Sequence, residues 1–416
     1  MTATDSAIDQ IFMQQAQFLA RFGEFLPGGV EALAKKLHHA TESGKPLNIK
    51  LGLDPTRPDL HLGHSVVLRK LKAFQDFGHQ VILIIGDATA LIGDPSGRND
   101  TRPPLTPEEI QVNAQTYLEQ AAKVINVDQA KIVHNSEWLQ KLNFADLLRL
   151  ASNITVAQML VREDFAKRYE SNRPISLHEL LYPLMQAYDS VVIEADIELG
   201  GTDQRFNTLL GRDFQLAYGN TNPQSVLLMP IIEGTDGKVK MSKSYPDHCI
   251  NLTDTSQDMY GKLMSIPDHL ICRYLELLTT CSPEVIKNLE ANMAKGTANP
   301  RDIKGELAKM IVTDYHGREA AEEAAEGFIR QFAQNEIPEN IPIVQLKAGE
   351  NYHLPTLMAD HNLASSKSDA RRSIQGGGVK LDSEKVTDEN HSLSGSASQE
   401  MILQVGRRRF LKLAFH

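Results

Sequence analysis

Two aliphatic segments with a helical pattern between them constrain the fold of this chain most. Residues 48–54 (NIKLGLD) and 81–87 (VILIIGD) are rich in aliphatic side chains and end in turn residues, so each predicts a short buried strand. Apolar residues between positions 67 and 77 recur at helical spacing, and Gly78 predicts the end of that helix. A strand, a helix and a strand in this order predict a βαβ unit, whose parallel strands need a crossover.

The same alternation continues to about residue 250 and predicts an α/β fold, a parallel sheet with helices on its faces. The further predicted strands lie at residues 131–134, in a segment ending with LGGTDQ at 199–204, and at 226–230, and the further helices cover 137–151, 155–170 and 176–192.

Beyond the sheet the pattern changes. Residues 254–335 are rich in helix formers and give no strand signal, so they predict a separate helical domain. Residues 336–353 hold two prolines and several polar side chains, which indicates a linker. The last segment, residues 354–416, predicts short helices and strands around a triple glycine at 376–378.

Charge is spread unevenly along the chain. The whole chain has a net charge of -10, yet residues 354–416 hold nine Lys or Arg against seven Asp or Glu and include Arg407, Arg408 and Arg409. By composition alone, such a cluster is more often a solvated surface strand. The alternative is a small phosphate-contacting module on an otherwise acidic protein.

Composition excludes several classes of protein. With 41% hydrophobic and 23% charged residues the chain is typical of globular proteins, and no apolar run approaches the roughly 20 residues that span a bilayer. The start lacks the basic and apolar parts of a signal peptide, and the three cysteines form no CxxC pair. We therefore expect a cytoplasmic protein that is neither secreted, membrane-spanning nor a zinc finger.

The first segment that indicates chemistry is GLDPTRPDLHLGH at residues 52–64, between a predicted strand and the next helix. In α/β sheets ligands bind beyond the carboxyl ends of strands, and a helix N-terminus attracts phosphate. His61 and His64 lie on that first turn, and Gly63 leaves space for a flat ring or a phosphate. The alternative is a capped helix with two surface histidines, but the placement favours a nucleotide site.

The second segment is KVKMSKS at residues 238–244, in a loop that Gly234 and Gly237 precede. Its lysines could close over a polyphosphate and neutralise charge as pyrophosphate departs. A lysine run alone usually indicates a solvated loop. HLGH at residues 61–64 resembles the HIGH signature of class I aminoacyl-tRNA synthetases, and residues 240–244 are identical to their KMSKS signature.

A third segment bears on the substrate. Tyr182, Gln186 and Asp189 would project from one face of a helix that follows a capping box at residues 176–179. The pattern leaves open whether this face lines a pocket or is the solvated side of an amphipathic helix. Pro183 predicts a kink in that helix.

The stretch YPLMQAYD at residues 182–189 resembles the tyrosine-recognition helix of tyrosyl-tRNA synthetases. GLDPTRPDLHLGH, LIGDPSGR at 91–98 and LGGTDQ at 199–204 are also similar to that family, and the resemblance covers essentially the whole chain. It implies four parts: a Rossmann-like parallel-sheet catalytic domain over residues 1–250, an α-helical anticodon-side domain over 251–335, a linker at 336–353 and a small α+β S4-like RNA-binding domain over 354–416.

The implied activity is that of a tyrosine–tRNA ligase, which forms tyrosyl-adenylate and pyrophosphate from tyrosine and ATP and then acylates the 3′-terminal ribose of tRNA(Tyr). The resemblance also implies Mg²⁺ accompanying ATP and a homodimer, and the sequence shows no metal-ligand spacing that predicts a structural metal site.

The resemblance also implies roles for individual residues. Asp189 would accept a hydrogen bond from the substrate phenol, Gln204 would lie near the carboxylate, and the ammonium would be held by Tyr182, Gln186 and Asp94. The implied nucleotide contacts are ATP for Gly63, the ATP ribose for Gly201 and Asp203, the phosphates for Thr56, His61, His64, Lys240 and Lys243, and the pyrophosphate-gripping loop for Arg98 and Arg102. The implied RNA contacts are Lys367, Arg371, Arg372, Arg407 and Arg408.

Two positions depart from the family pattern. Lys50 stands where many members place a second tyrosine against the substrate phenol, and Arg205 stands where some have tryptophan.

Three rival interpretations remain: the sister enzyme for tryptophan, which Asp189 and the tail disfavour; an inactive RNA-binding paralogue, which both signatures disfavour; and a small-molecule nucleotidyltransferase, which would not need the C-terminal residues.

Overall fold

The computed structural model describes residues 3–95, 106–242, 246–333, 341–406 and 409–416. The chain divides into two compact units, Met1–Ala321 and Glu322–His416. Within the described ranges, every helix is too short or too polar to cross a lipid bilayer.

A six-stranded sheet in the order β1-β6-β5-β2-β3-β4 organises the first unit. Its strands are β1 Glu24–Leu26, β2 Asn48–Leu53, β3 Gln80–Ile85, β4 Lys131–His134, β5 Ile197–Gly201 and β6 Ser225–Met229. Strands β2 to β6 are parallel, whereas β1 runs antiparallel to β6 at the edge. The parallel α/β sheet that the sequence predicts is confirmed, while the short edge strand β1 was not predicted.

The helices of the first unit surround this sheet and then continue as a helical region. They are α1 Ala3–Leu19, α2 Gly29–Ser43, α3 Leu62–Asp76, α4 Asp87–Ala90, α5 Pro107–Ala121, α6 Ser136–Leu139, α7 Phe144–Ala151, α8 Val156–Leu160, α9 Glu163–Glu170, α10 Tyr182–Val192, α11 Arg205–Ala217, α12 Ser256–Ser265, α13 Ile271–Leu278, α14 Pro283–Ala294, α15 Pro300–His316 and α16 Arg318–Ala333, the last of which crosses the boundary between the units.

Three helix predictions need correction. The helices expected over 137–151 and 155–170 are each broken in two. At the first break, the Asn143 side chain accepts hydrogen bonds from the main-chain N–H groups of Ala145 and Asp146, which starts a new helix. Pro183 does not kink a helix, because α10 begins only one residue before it and a proline in the first turn leaves no bond unmade.

The strand order places a topological switch at the centre of the sheet. The chain proceeds from β2 to β3 and β4 on one side, then returns to place β5 on the other side of β2. A crevice forms outside the carboxyl ends of strands at such a point. Residues that follow β2 and β5, including Asp54 and Asp203, are therefore brought together by topology.

In the described part of the second unit, the end of α16 is followed by two short helices and two sheets. Its elements are β7 Ile343–Leu346, β8 Tyr352–His353, α17 Leu354–Asp360, α18 Lys367–Gln375, β9 Val379–Leu381, β10 Glu384–Lys385, β11 Ser392–Leu393, β12 Glu400–Val405 and β13 Arg409–Phe415. Five strands form a sheet in the order β10-β9-β12-β13-β7, and β8 pairs with β11. Fully buried Leu354, Met358, Leu403 and Leu413 belong to one core beneath the larger sheet.

The linker expected at residues 336–353 is partly wrong. Ile343–Leu346 form β7, which pairs in parallel with β13, and Leu346 is buried in the core of the second unit. Pairing with the end of the chain makes these residues part of the sheet, a long-range contact that local composition does not reveal. Residues 334–340 lie outside the described ranges, and the proposed domain boundaries stay predictions.

Candidate active site

The HLGH segment and the start of the KMSKS segment lie next to each other. The main-chain N–H of Leu62 donates to the carbonyl of Ile250, 2.9 Å away, which ties the start of α3 to the chain that follows KMSKS. The N–H of Met241 donates to the carbonyl of Ile232 at 2.9 Å, and a Cβ added to Gly63 would lie 3.6 Å from the Ile232 side chain. Two motifs far apart in sequence therefore meet at one edge of the sheet.

The two histidines of HLGH contact each other. Their ring centroids are 4.0 Å apart, and the main-chain N–H of His61 donates to Nδ1 of His64 at 3.2 Å. Because Nδ1 of His64 accepts this bond, the proton of the neutral imidazole lies on Nε2, which makes Nε2 a donor. The interpretation as two surface histidines is wrong for His61, which is 6% exposed.

Gly63 has a different role from the one expected. A Cβ at this position would lie 2.9 Å from Cε1 and Nδ1 of the His61 ring, too close for any side chain. The space that the sequence assigned to a ligand is thus filled by the imidazole of His61. Glycine is needed here because the ring folds back over the helix N-terminus.

The KMSKS segment begins in a small hairpin. The main chain of Lys240 forms an isolated antiparallel β-bridge with Glu233. The side-chain Nζ of Lys240 lies 2.9 Å from Oδ2 of Asp203. Asp203 follows β5 in a short 3₁₀ turn, and a Cβ on Gly201 would lie 2.7 Å from Oδ1 of Asp203. The lysine expected at the phosphates therefore contacts the carboxylate expected at the ribose.

Asp189 lies buried on α10, with 4% of its surface exposed. Its carboxylate accepts hydrogen bonds from Nε1 of Trp138 at 2.8 Å and from Nδ2 of Asn135 at 3.3 Å. Burial raises the pKa of Asp189 to about 7, although Lys50 and the two N–H donors act in the opposite direction. The interpretation of this helix face as solvated is therefore wrong.

Tyr182 and Asp54 form a hydrogen-bonded pair close to Asp189, in which Tyr182 is buried and Asp54 is half-buried. The Tyr182 hydroxyl donates to Oδ2 of Asp54 at 2.9 Å, and the Thr89 hydroxyl donates to Oδ1 at 2.8 Å. Burial raises the pKa of Asp54 to about 7 and raises the pKa of Tyr182 well above its ordinary value. Tyr182 is therefore uncharged throughout the neutral range, and Asp54 is partly protonated there.

Asp94 connects three elements of the pocket. Its Oδ1 lies 3.2 Å from the Arg162 guanidinium, and its Oδ2 accepts a hydrogen bond of 2.8 Å from Nε2 of Gln204. The structure thus brings together two of the residues that the resemblance assigns to the amino-acid substrate. Gln186 differs from the expectation, because its Nε2 faces Glu198 at 3.3 Å and its buried Oε1 has no hydrogen-bond partner in the described part of the chain.

The other predicted residues fall into three groups. Thr56 is half-buried directly after β2, near the expected place, whereas Lys367, Arg371 and Arg372 are exposed on α18 in the second unit. Five predicted residues lie outside the described ranges: Arg98, Arg102, Lys243, Arg407 and Arg408. Within those ranges, no group of three or more His, Cys, Asp or Glu side chains is placed to hold a metal ion.

Several site residues were missed by the sequence analysis. Asp54 directly follows β2, and Asn135 and Trp138 follow β4, so all three come from carboxyl ends of parallel strands. The rule that located HLGH would have selected these segments as well. The partners of Asn135 and Trp138 could not be selected, because their contacts with Asp189 join residues about fifty positions apart.

Comparison with known proteins gives the family. A family model described as tRNA synthetases class I (W and Y) matches residues 42–333, and one described as a tyrosine–tRNA ligase SYY-like C-terminal domain matches residues 332–412. The tyrosine–tRNA ligase of Carboxydothermus hydrogenoformans is 52% identical over 389 residues, which is 92% of this chain and 94% of the relative. The chain belongs to the tyrosine–tRNA ligase family.

Another tyrosine–tRNA ligase, from Thermotoga maritima, is 52% identical over 368 residues, or 88% of this chain and 90% of that protein. Solved tyrosyl-tRNA synthetases share the fold. The Archaeoglobus fulgidus protein complexed with L-tyrosine has a TM-score of 0.60 at 22% identity and covers 76% of this chain and 99% of its own. The truncated mitochondrial protein of Aspergillus nidulans has a TM-score of 0.61 at 21% identity and covers 77% and 94%.

Proposed function

We propose that this chain attaches tyrosine to tRNA(Tyr) in two steps. The tyrosine carboxylate attacks the α-phosphorus of ATP, a carboxyl oxygen–phosphorus bond forms, and the bond to the departing pyrophosphate breaks. A hydroxyl of the terminal ribose of tRNA then attacks the carbonyl carbon, and AMP leaves. Neither step needs a nucleophile from the protein, so positioning and charge stabilisation supply the catalysis.

The observation that carries the choice of substrate is the buried carboxylate of Asp189. Its two N–H donors, Trp138 and Asn135, fix its orientation, and a phenol hydroxyl could supply a further hydrogen bond. Phenylalanine has no hydroxyl and would leave this acceptor without that bond, which penalises the wrong substrate. The tryptophan alternative is not supported, since the matched relatives over most of the chain are tyrosine–tRNA ligases.

The nucleotide end of the site follows from the two motifs. His64 presents an Nε2 donor, and Lys240 supplies a positive charge beside Asp203. When ATP binds, we expect its ribose to take the place of Lys240 at Asp203, which releases the ammonium toward the phosphates. This exchange costs little, because the Lys240–Asp203 pair is about a third exposed and such pairs contribute at most about 1 kcal/mol.

Magnesium would arrive bound to ATP. The described residues do not fit a metal site held by the protein alone, since they contain no suitable cluster of ligands. Magnesium bound with nucleotides is commonly held by phosphates and water with few protein ligands. The roles we assign to the chain are therefore to bind and orient the nucleotide, and no step is derived through the metal.

We further propose that the second unit contacts tRNA and that the protein is a cytoplasmic homodimer. Exposed Lys367, Arg371 and Arg372 on one helix can contact phosphates without reading sequence.

In the first unit, Phe144 and Leu148 lie one turn apart on α7 and are 75% and 56% exposed, an apolar surface suited to a second copy. The cysteines are free, as is typical of a reducing compartment.

The decisive test is exchange of labelled pyrophosphate into ATP in the presence of tyrosine, phenylalanine or tryptophan. We expect exchange with tyrosine alone. Asp189→Ala should abolish it while leaving ATP binding nearly intact. The control Asp76→Ala, at a residue with a side chain 59% exposed on α3, should behave as the unmodified protein. Exchange that depends on tryptophan, or no exchange at all, would contradict the proposal.

A further inference from the structure

Lys50 lies in the middle of β2 with none of its surface exposed. Its Nζ contacts three acceptors: Oε1 of Glu198 at 2.8 Å, the Ser190 hydroxyl at 2.6 Å and the Gln186 carbonyl at 3.0 Å. A lysine ammonium has three N–H donors, so all of them are used. Although Lys50 occupies the position where many relatives place a phenol-contacting tyrosine, it has no donor left for a phenol oxygen.

The partner of Lys50 is equally buried and equally well satisfied. Glu198 is the register neighbour of Lys50 on β5 and is 1% exposed. Its Oε2 accepts hydrogen bonds from Gln224 Nε2 at 2.6 Å and from the Ser190 hydroxyl at 3.0 Å. A Cβ on Gly211 would lie 2.7 Å from Gln224 Nε2, so a glycine lets α11 pack against this network.

A buried ion pair is not explained by stability, because well-packed apolar residues of similar size usually serve as well. The placement of this pair indicates another purpose. Ser190 directly follows Asp189, so the network lies beside the carboxylate that we assign to the phenol. The charged groups that face Asp189 are Lys50 on β2, Glu198 on β5 and Asp54 after β2.

The balance of charges around Asp189 depends on Lys50. Burial raises the pKa of Asp189, and Lys50 is the strongest influence in the opposite direction, ahead of the hydrogen bonds from Trp138 and Asn135. Glu198 raises the pKa of Asp189, but more weakly than Lys50 lowers it. Without the ammonium, the pKa of Asp189 would rise above about 7, so less of the carboxyl would be ionised at neutral pH and it would be a weaker acceptor.

We infer that Lys50 is a positioning residue for tyrosine selection: its ammonium, anchored by Glu198 and Ser190, increases the ionised fraction of Asp189, the acceptor for the substrate phenol, without touching the substrate. The inference rests on the proposed function. It assigns the specificity of this pocket to an ion pair beneath Asp189, where other members of the family use a second hydroxyl.

The single tryptophan of the chain, Trp138, donates to Asp189 and gives a direct spectroscopic reporter. In the free protein, selectively excited Trp138 fluorescence should titrate with a midpoint of about 7. In Lys50→Met this midpoint should rise. At neutral pH, kcat/KM of this variant for tyrosine should fall on the order of tenfold, as expected for a midpoint rise of about one pH unit. The value of kcat/KM should recover as pH increases, and KM for ATP should be unchanged.

Two further variants make the test decisive. Lys72→Met removes a partly exposed lysine of α3 and should leave the fluorescence midpoint and the kinetics unchanged. The double variant Lys50→Met/Glu198→Gln removes both buried charges and carries the test if Lys50→Met alone fails to fold. Its midpoint should lie above that of the unmodified protein, because Lys50 acts on Asp189 more strongly than Glu198 does.

A double variant with an unmodified midpoint and pH profile would show that Lys50 serves only to neutralise Glu198, and would overturn the inference. A tyrosine defect of Lys50→Met that is equal at every pH would overturn it too. Failure of the proposed function is distinguishable, because the unmodified protein would then lack tyrosine-dependent exchange while Trp138 still titrated.

Discussion

Replacing Asp189 with asparagine should stabilise the substrate-free protein above neutral pH while removing its selectivity for tyrosine. The Asp189 carboxyl is 4% exposed, and burial raises its pKa from the ordinary 3.8 to about 7. Since the folded protein binds this proton more tightly than the unfolded chain, the stabilising contribution is complete below about pH 4. It is lost as pH rises through the interval between 3.8 and about 7.

The magnitude follows from that interval. Each pH unit between the two pKa values corresponds to about 1.4 kcal/mol, so about 4 kcal/mol of unfolding free energy is lost by pH 8 through Asp189. The side-chain amide of the Asp189→Asn variant would still accept a hydrogen bond, as an uncharged group, and would not lose this stability. The pKa of Asp54 is also about 7, and the Asp189 charge is one of the influences that raise it. In Asp189→Asn the pKa of Asp54 should therefore fall, and Asp54 should lose less stability at alkaline pH, which adds to the difference in the same direction.

Denaturant unfolding of the unmodified protein and Asp189→Asn should be compared at pH values from about 4 to 8. Trp138 fluorescence reports on the first unit, which contains the pocket. The difference in unfolding free energy should be small at the acid end and should grow with pH to a plateau above about 7. Asp76→Asn, an exposed control on α3, should show no such trend.

A difference that stays constant from pH 4 to 8 would refute the reasoning, as would an asparagine variant that is the less stable protein at alkaline pH. Either result would mean that the pocket accommodates the Asp189 charge without a penalty. The expected gain in stability has a functional counterpart, because the amide cannot reproduce a charged acceptor for the phenol. We expect the exchange reaction of this variant to discriminate poorly between tyrosine and phenylalanine.

Three further predictions concern other parts of the molecule. Lys240→Met should slow adenylate formation on the order of a hundredfold in single-turnover measurements, while the thermal midpoint stays within a few degrees, because its pair with Asp203 is partly exposed. Removal of residues 341–416 should abolish aminoacylation of tRNA but spare pyrophosphate exchange, and equal loss of both activities would contradict a modular chain. The truncation is placed before β7, because a cut after β7 would leave this strand without its partner β13 in the C-terminal sheet. Phe144→Asp together with Leu148→Asp should shift the sedimenting species from dimer to monomer, whereas an unchanged sedimentation coefficient would place the interface elsewhere.

Local chain chemistry determined much of this protein. The aliphatic runs at residues 48–54 and 81–87 became β2 and β3, because fully covered parallel strands require apolar side chains on both faces. The capping box at residues 176–179 is present, with the main-chain N–H of Ser176 donating to Glu179 at 2.9 Å. HLGH and KMSKS predicted a phosphate-binding site from the sequence alone, because the residues of each motif are adjacent in the chain.

Contacts between distant residues decided the rest. Nothing near Lys50 in sequence predicts its burial against Glu198, and nothing near Asp189 predicts Trp138 as its donor. The composition of residues 343–346 predicted a linker, but these residues form strand β7, because they pair with β13 at the end of the chain. A local pattern specifies which face of an element is apolar, whereas the partner across that face depends on how the strands are ordered in the sheet. The charge state of the pocket, which sets what it can bind, therefore belongs to the tertiary structure.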